Sequence, residues 1–332
     1  MERHTGNTDR AVRLGVLGCA DIAVRRLLPA AMAADGVVVT AVASRDGARA
    51  AAVAERFGGR PVEGYQALLD RDDVDAVYVP LPPALHGEWI ERALGAGKHV
   101  LAEKPLTTTA ERTERLVASA RRAGLVLREN FTFLHHSQHE RVRQLLASGA
   151  IGELRSLQAT FTVPKRPAGD LRLRPDLGGG ALLDTGVYPA RAALLLLGPD
   201  LEVAGAAWRF DEKLGVDLSG AALLSRPDGV TASLAFGLEH AYTAGYELLG
   251  SDGTIRLGRA FTPPADLPPP VRLERGGKIE EPRWEPDDQW VNALTAFARD
   301  IGEGAGTHGS GPLRTARLIG ARVLAAPETI SP

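Results

Sequence analysis

Val12-Arg-Leu-Gly-Val-Leu-Gly18-Cys-Ala-Asp-Ile-Ala23 reads as a short apolar strand, a tight turn opened by Gly18, and the start of an alanine- and leucine-rich helix reaching about residue 34. Strand, glycine turn and helix in that order form the unit that holds a dinucleotide pyrophosphate at a helix N-terminus, the glycines letting backbone approach the phosphates. Here the spacing is Gly18-x-Ala20-x-x-Ala23, with alanine in place of the middle glycine, so the turn alone leaves dinucleotide binding open. Cys19, Asp21 and Ile22 complete the turn and are expected with Gly18 and Ala20 in the cofactor-binding set, Asp21 reading as a helix cap rather than a metal ligand. Outward from this stretch the alternation continues. A strand over 37–43, a helix halted by Gly58-Gly59, a short helix over 65–69, a strand over 74–79, a helix with Trp89, Ile90, Ala93 and Leu94 on one face, and a strand over 99–102 follow in turn. Repeated strand–helix units predict an α/β fold with a parallel, doubly wound sheet.

In such sheets ligands bind at the carboxyl ends of the strands, so the residues just past each strand carry the chemistry. The second strand ends in Ser44-Arg45 rather than in the carboxylate that grips a free ribose 2′-hydroxyl. An arginine beside a hydroxyl supplies donors to a 2′-phosphate, which a carboxylate would repel. NADP(H) is therefore expected over NAD, a solvated surface charge being the other reading of Arg45; Asp46 is read as a first-turn acid complementing the helix dipole. Leu81, within Pro80-Leu-Pro-Pro83, belongs to the crevice lip, and His86 either touches the cofactor or caps and packs a helix start. Lys104 follows the strand over 99–102 directly, while Glu103 fixes the strand end or meets the nicotinamide amide.

Composition narrows the class. Lys plus Arg number 39 against 41 Asp plus Glu, leaving no broad basic footprint for nucleic acid or an anionic membrane. The single cysteine excludes an intramolecular disulfide and a cysteine-built metal site, in keeping with a reducing, cytoplasmic setting. The polar N-terminus lacks a signal-peptide core, and no run is read as approaching the ~20 apolar residues that span a bilayer.

Three parts are expected: a disordered segment over 1–10, a dinucleotide-binding domain over 11–130, and a substrate-binding and oligomerisation domain over 131–332. A helix over 110–124 and a strand over 125–127 lead to Glu129-Asn130 at the handover. His135, His136 and His139 have helical spacing but no zinc-protease pattern, so capping, packing or substrate hydrogen bonds are preferred and no metal is expected. From residue 154 apolar residues alternate through strands over 201–208, 220–225, 230–236, 246–249, 254–257 and 271–273, predicting a largely antiparallel sheet with one face covered. The basic loop Pro164-Lys165-Arg-Pro…Arg172 offers Lys165 and Arg172 to a diphosphate or substrate oxygen, or simply to solvent. Asp184 and Tyr188 lie one helical turn apart and face one crevice, and Gly186 implies a close approach. Helices are expected over 290–301 and 313–325, packing back on the body, with a mobile glycine-rich link over 302–311.

Three segments together, Gly18-Cys-Ala-Asp-Ile-Ala23, Gly97-Lys-His-Val-Leu-Ala-Glu-Lys-Pro-Leu106 and Gly178-Gly-Gly-Ala-Leu-Leu-Asp-Thr-Gly-Val-Tyr188, resemble the glucose-fructose oxidoreductase / inositol dehydrogenase (Gfo/Idh/MocA) family from about residue 12 to the end. Residues 76–82, 129–136 and 238–242 are most similar to its NADPH-dependent sugar 3-ketoreductases of deoxysugar biosynthesis. The resemblance implies a Rossmann domain followed by an α+β domain with a large open-faced sheet that mediates homo-oligomerisation. It implies reduction of the C3 ketone of a dTDP-3,4-diketo-2,6-dideoxyhexose. Many members carry histidine where Tyr188 stands, and the tyrosine is what the 3-ketoreductases share. On this reading Lys104 and Tyr188 bind the ketone oxygen and deliver the proton, burial making a lysine of pKa ~10.4 a stronger acid. Asp184 orients Lys104 or a sugar hydroxyl, and Asn130 joins the substrate set. The alternatives are another NADP-dependent sugar, polyol or dihydrodiol dehydrogenase of the family, or a non-catalytic NADP-responsive regulator.

Overall fold

A computed structural model describes residues 11–304 and 311–324, so the expectations for residues 1–10, for most of the link over 302–311 and for residue 325 lie outside the described residues. The chain divides into two compact units. One takes the described residues up to Thr107, Glu111–His135 and the segment beginning at Gln289; the other takes Thr108–Ala110, His136–Asp288 and the helix Gly311–Leu324.

In the first unit six parallel strands run in the order β3-β2-β1-β4-β5-β6. They are β1 (Val12–Leu17), β2 (Val37–Ser44), β3 (Arg60–Glu63), β4 (Ala76–Val79), β5 (His99–Ala102) and β6 (Leu127–Glu129). Order reverses at β1, with β2 on one side and β4 on the other, which makes the ends of β1 and β4 a topological switch point. The four residues of β4 are all buried, as a strand covered on both faces requires. One apolar cluster joins β1 to the first helix and to the helix Gln289–Gly302 through Leu294, Phe297 and Ala298; another packs Ile90, Ala93, Leu116 and Val117 on the opposite face. Burying Leu294 and Phe297 is worth roughly 1.5–3 kcal/mol each. That contact draws the helix Gln289–Gly302 into the first unit, although sequence order groups it with the second.

β3, Arg60-Pro-Val-Glu63, has no apolar alternation and was not expected as a strand. The first helix is not uniform either: Ala23–Leu27 is a π turn, the Leu28 N–H reaching back five residues to Ala23. Pro29 follows, and its missing N–H and bulky ring disfavour a regular turn at that point.

In the second unit eight strands run in the order β14-β13-β12-β11-β7-β10-β9-β8. Their ranges are β7 (Leu154–Thr162), β8 (Glu202–Asp211), β9 (Val216–Ser225), β10 (Thr231–Gly237), β11 (Thr243–Gly250), β12 (Gly253–Leu257), β13 (Val271–Arg275) and β14 (Lys278–Glu280). Pairing is antiparallel except between β7 and β10. One face is buried, through Leu157, Ala159, Phe161, Ala232, Leu234, Phe236, Tyr246 and Leu248, and the other shows small or polar residues such as Ser219, Ala221 and Ser233. The segment Pro175–Leu197 is long and apolar enough, by length and composition, to cross a bilayer, which corrects the reading that no such run exists; 61% of its window is buried within the protein. Its last part is the helix Val187–Leu197, which packs against β7 and β10.

Candidate functional site

Gly18 begins the turn after β1 with φ +116, a conformation natural to glycine, and its N–H donates to the Ala43 carbonyl at 2.9 Å. A Cβ on Gly18 would stand 3.2 Å from Leu81 Cδ2, so Leu81 closes on the turn from the β4 side. Ala20 is half-buried, and Asp21 is exposed with no hydrogen bond or ion pair among the described residues. This corrects the capping role: Asp21 lies inside the first helical turn, past the position from which a cap can act.

The β2 end is assembled differently from expectation. Asp46 is the N-cap of the helix Gly47–Phe57, its carboxylate accepting from the N–H groups of Ala48 and Arg49. Ser44 is buried; its Oγ accepts from Asp46 N–H and its hydroxyl also faces the Cys19 thiol. Arg45 is exposed. Arg49, not singled out by sequence, reaches from that helix to the Cys19 carbonyl at 2.7 Å and ties the first turn to the second. Burial pushes the Cys19 thiol up, with Arg49 opposing.

At the end of β5, Glu103 Oε1 accepts two hydrogen bonds, from the Tyr78 hydroxyl at 2.8 Å and the Asn130 amide at 2.7 Å. Burial raises the Glu103 pKa, against the pull of both donors and of Lys104. The Asn130 amide, offered by the sequence to substrate, gives one N–H to Glu103 in this structure. His86 is fully buried, one ring nitrogen 2.8 Å from the Pro105 carbonyl and the other 2.6 Å from the Leu81 carbonyl. Burial lowers its pKa, although both carbonyls act in the opposite sense. Of its two sequence readings this is the packing one: the ring staples the segment after β4 to the segment carrying Lys104. Lys104 itself is half-buried between Glu103 and Pro105.

In the second unit Leu182–Gly186 is another π turn, Val187 N–H reaching back to the Leu182 carbonyl, with Pro189 following. Asp217 of β9 accepts the Leu182 N–H at 2.8 Å, capping this helix from a neighbouring strand. A side chain at Gly180, φ +114, would meet Asp217 Oδ1 at 2.3 Å. What approaches Gly186 is the sheet: an added Cβ would lie 3.1 Å from the Phe236 ring and 3.0 Å from Leu182. Asp184 accepts from Arg172 Nε at 2.7 Å, and Arg172 also meets Asp170 at 3.2 Å. Arg172 is therefore engaged by two carboxylates, which raise its pKa against burial. Tyr188 packs edge-on to Phe161, with ring centroids 4.9 Å apart, and against Phe261 at 5.7 Å. Lys165 is exposed, 3.4 Å from Glu239.

The three histidines separate. His135 belongs to the first unit; His136 caps the helix Ser137–Ala147, and His139 is buried between the Tyr246 hydroxyl and the Ala260 carbonyl, both at 3.0 Å. Sequence reasoning missed Tyr78, Arg49, Asp170 and Asp217. The first reads as a core aromatic and the others as solvated charges, and none carries a local signal of its partner.

Two family models match the chain: "Oxidoreductase family, NAD-binding Rossmann fold" over residues 12–131 and "GFO/IDH/MocA C-terminal domain" over 139–256. A dTDP-3,4-didehydro-2,6-dideoxy-alpha-D-glucose 3-reductase of Actinomadura kijaniata is 55% identical over 312 residues, 93% of this chain and 94% of its own length. One of the same name from Streptomyces violaceoruber is 56% identical over 307 residues, covering 91% of this chain and 90% of its own. The crystal structure of KijD10, a 3-ketoreductase of Actinomadura kijaniata in complex with NADP and TDP-benzene, superposes with a TM-score of 0.92 at 54% identity, covering 95% of this chain and 98% of that one. Solved forms of that protein include a tyrosine-to-phenylalanine and a lysine-to-alanine variant.

Proposed function

The chain belongs to the Gfo/Idh/MocA oxidoreductase family, and from that premise we propose that it is an NADPH-dependent ketoreductase that reduces the C3 ketone of a dTDP-3,4-diketo-2,6-dideoxyhexose to the 4-keto-2,6-dideoxyhexose. The observation that carries the reading is the near full-length likeness to the dTDP-sugar 3-reductases, together with Lys104, Asp184 and Tyr188 standing in the motifs that define the resemblance. The donor set after β2 fits a 2′-phosphorylated dinucleotide. Ser44 places a hydroxyl at the strand end, Arg45 is exposed, Arg49 is held nearby on the turn, and the Asp46 carboxylate is engaged by the N–H groups of its own helix. A site for a free ribose diol would place that acid at the strand end. Gly18, Cys19, Ala20 and Ile22 would hold the pyrophosphate, with Leu81 and Glu103 toward the nicotinamide end. NADPH, when bound, supplies the hydride.

The chain's own task is to stabilise charge growing on the ketone oxygen and to give it a proton. Lys104 and Tyr188 take that role, the ammonium as electrostatic partner and the ammonium or the phenol as donor. Asp184 fixes a sugar hydroxyl or the lysine, and Arg172 holds Asp184. Tyr78 and Asn130 pin Glu103 through Oε1 and so fix the residue that precedes Lys104. We extend the reading to a homo-oligomer formed through the open face of the eight-stranded sheet, testable by light scattering on the purified protein.

Steady-state NADPH consumption with the dTDP-linked diketo sugar, set against free sugars, polyols and dihydrodiols, tests the substrate class. Turnover confined to the nucleotide-linked ketone is expected. Turnover with free sugars only would make it another dehydrogenase of the family, and cofactor binding without turnover on any of them would make it a regulator.

A further inference from the structure

We propose that Arg166 is the residue with which this chain grips the diphosphate of its nucleotide-sugar substrate. The inference rests on the nucleotide-sugar reading and names a group that neither the motifs nor the comparisons single out. The loop after β7 carries four cations in ten residues, Lys165, Arg166, Arg172 and Arg174. Three already have carboxylates: Lys165 has Glu239, Arg172 has Asp170 and Asp184, and Arg174 has Asp176 in a two-point pair. Arg166 makes no hydrogen bond, ion pair or ring contact among the described residues, yet it is half-buried and its Nε is enclosed without an acceptor.

Enclosing a guanidinium N–H without an acceptor costs free energy that a protein does not ordinarily leave uncompensated. The Nη nitrogens are not enclosed and have no partner, so a ligand can reach them. A planar fork of N–H donors with accessible ends suits phosphate oxygens, which can accept two parallel bonds.

The surroundings favour an anion and hold the loop in place. Val163 N–H donates to the Gly237 carbonyl at 2.9 Å, His240 N–H to the Val163 carbonyl at 3.0 Å, and Thr162 Oγ1 to the Ala241 carbonyl at 2.7 Å. These bonds fasten the start of the loop to the β10–β11 connection. Glu239 in that connection is shared by Lys165 and Arg209, so one carboxylate stands against two cations before Arg166 is counted. Arg166, next in the chain to Lys165, adds a third cation to this stretch of the loop. A nucleoside diphosphate, with its negative charge concentrated on two adjacent phosphates, is the ligand class that matches.

The test uses the full chain with NADPH present and dTDP and thymidine as probes, titrated calorimetrically into wild-type protein, Arg166→Ala and Arg166→Lys. Loss of a charge-assisted bidentate contact predicts dTDP binding about ten- to a hundred-fold weaker in Arg166→Ala. Thymidine binding should be unchanged, Arg166→Lys should be intermediate, and added salt should erase much of the difference between wild type and Arg166→Ala. NADPH affinity and melting temperature show whether the variants fold, since a misfolded protein would lose cofactor binding as well. Equal dTDP affinity in wild type and a folded Arg166→Ala would overturn the proposal while leaving the substrate class intact. Wild-type protein that does not bind dTDP would instead remove the nucleotide-sugar reading, and the role of Arg166 with it.

Discussion

Lys104 and Tyr188 are the two residues whose side chains the proposed chemistry cannot do without, and each is supported by a different kind of neighbour. Lys104 follows a carboxylate pinned by two donors and precedes a proline whose carbonyl is held by buried His86; Tyr188 stands on an aromatic base of Phe161 and Phe261. Substituting both, Lys104→Ala with Tyr188→Phe, should remove most NADPH oxidation with the dTDP-linked ketone, while fluorescence titration shows NADPH binding nearly as tightly as in wild type. If either group can donate the proton, the single variants should each retain more activity than the double one. At the β2 end, Arg45→Ala should raise KM for NADPH about ten- to a hundred-fold, the scale of a charge-assisted contact, and leave KM for NADH nearly unchanged. Equal effects on the two cofactors would show that Arg45 does not read the 2′-phosphate. Lys104, Asp184 and Tyr188 can be proposed from sequence because they sit in motifs with fixed spacing. Asp217 was not, because an acid in the middle of a strand gives no sign that it caps a helix thirty-five residues earlier in the chain.

Among the elements, the two π turns, Ala23–Leu27 and Leu182–Gly186, lie in the two stretches that carry the motifs, the nucleotide turn and the Asp184–Tyr188 helix. Each precedes a proline by two or three residues, so the widened turn has a local cause that hydrophobic periodicity does not report. Gly186 lets the second of them sit against Phe236. Gly186→Ala overpacks this contact and should cost ~1–3 kcal/mol, read as a lower urea midpoint, with kcat falling because Asp184 lies in the displaced turn and Tyr188 follows it. An unchanged midpoint would mean that the helix and β10 can part without cost. The strands of both sheets were largely visible as apolar runs or alternation. Two were not: β3, Arg-Pro-Val-Glu with only Val62 half-buried, and β14, an exposed Lys-Ile-Glu, each existing as a strand because a neighbour offers it an edge. The parallel pairing of β7 with β10 likewise depends on residues some seventy positions apart and leaves no trace in local pattern.

For the molecule as a whole, buried histidine sets an acid limit on stability. Burial lowers the His139 pKa to about 3, between Tyr246 and the Ala260 carbonyl, against ~6.5 in an unfolded chain. Between those values the unfolded state holds the extra proton, so this contribution is intact above pH ~6.5 and is lost as pH falls toward 3, at up to ~1.4 kcal/mol per pH unit. Urea midpoints at pH 7 and pH 5 should therefore differ less in His139→Gln than in wild type, and parallel shifts would assign the acid sensitivity elsewhere. Division into a nucleotide unit and a sheet unit was legible in the change from strand–helix alternation to consecutive strands. The return of the helix Gln289–Gly302 to the first unit was not, because its apolar face matches a cluster laid down almost three hundred residues earlier. What all of this serves is delivery of a hydride to one carbon of one sugar. The direct measurement is mass and NMR analysis of the product formed from a dTDP-3,4-diketo-2,6-dideoxyhexose with NADPH deuterated at the transferred position: deuterium at C3 is the predicted result, and deuterium at C4, or none in the sugar, would contradict the account.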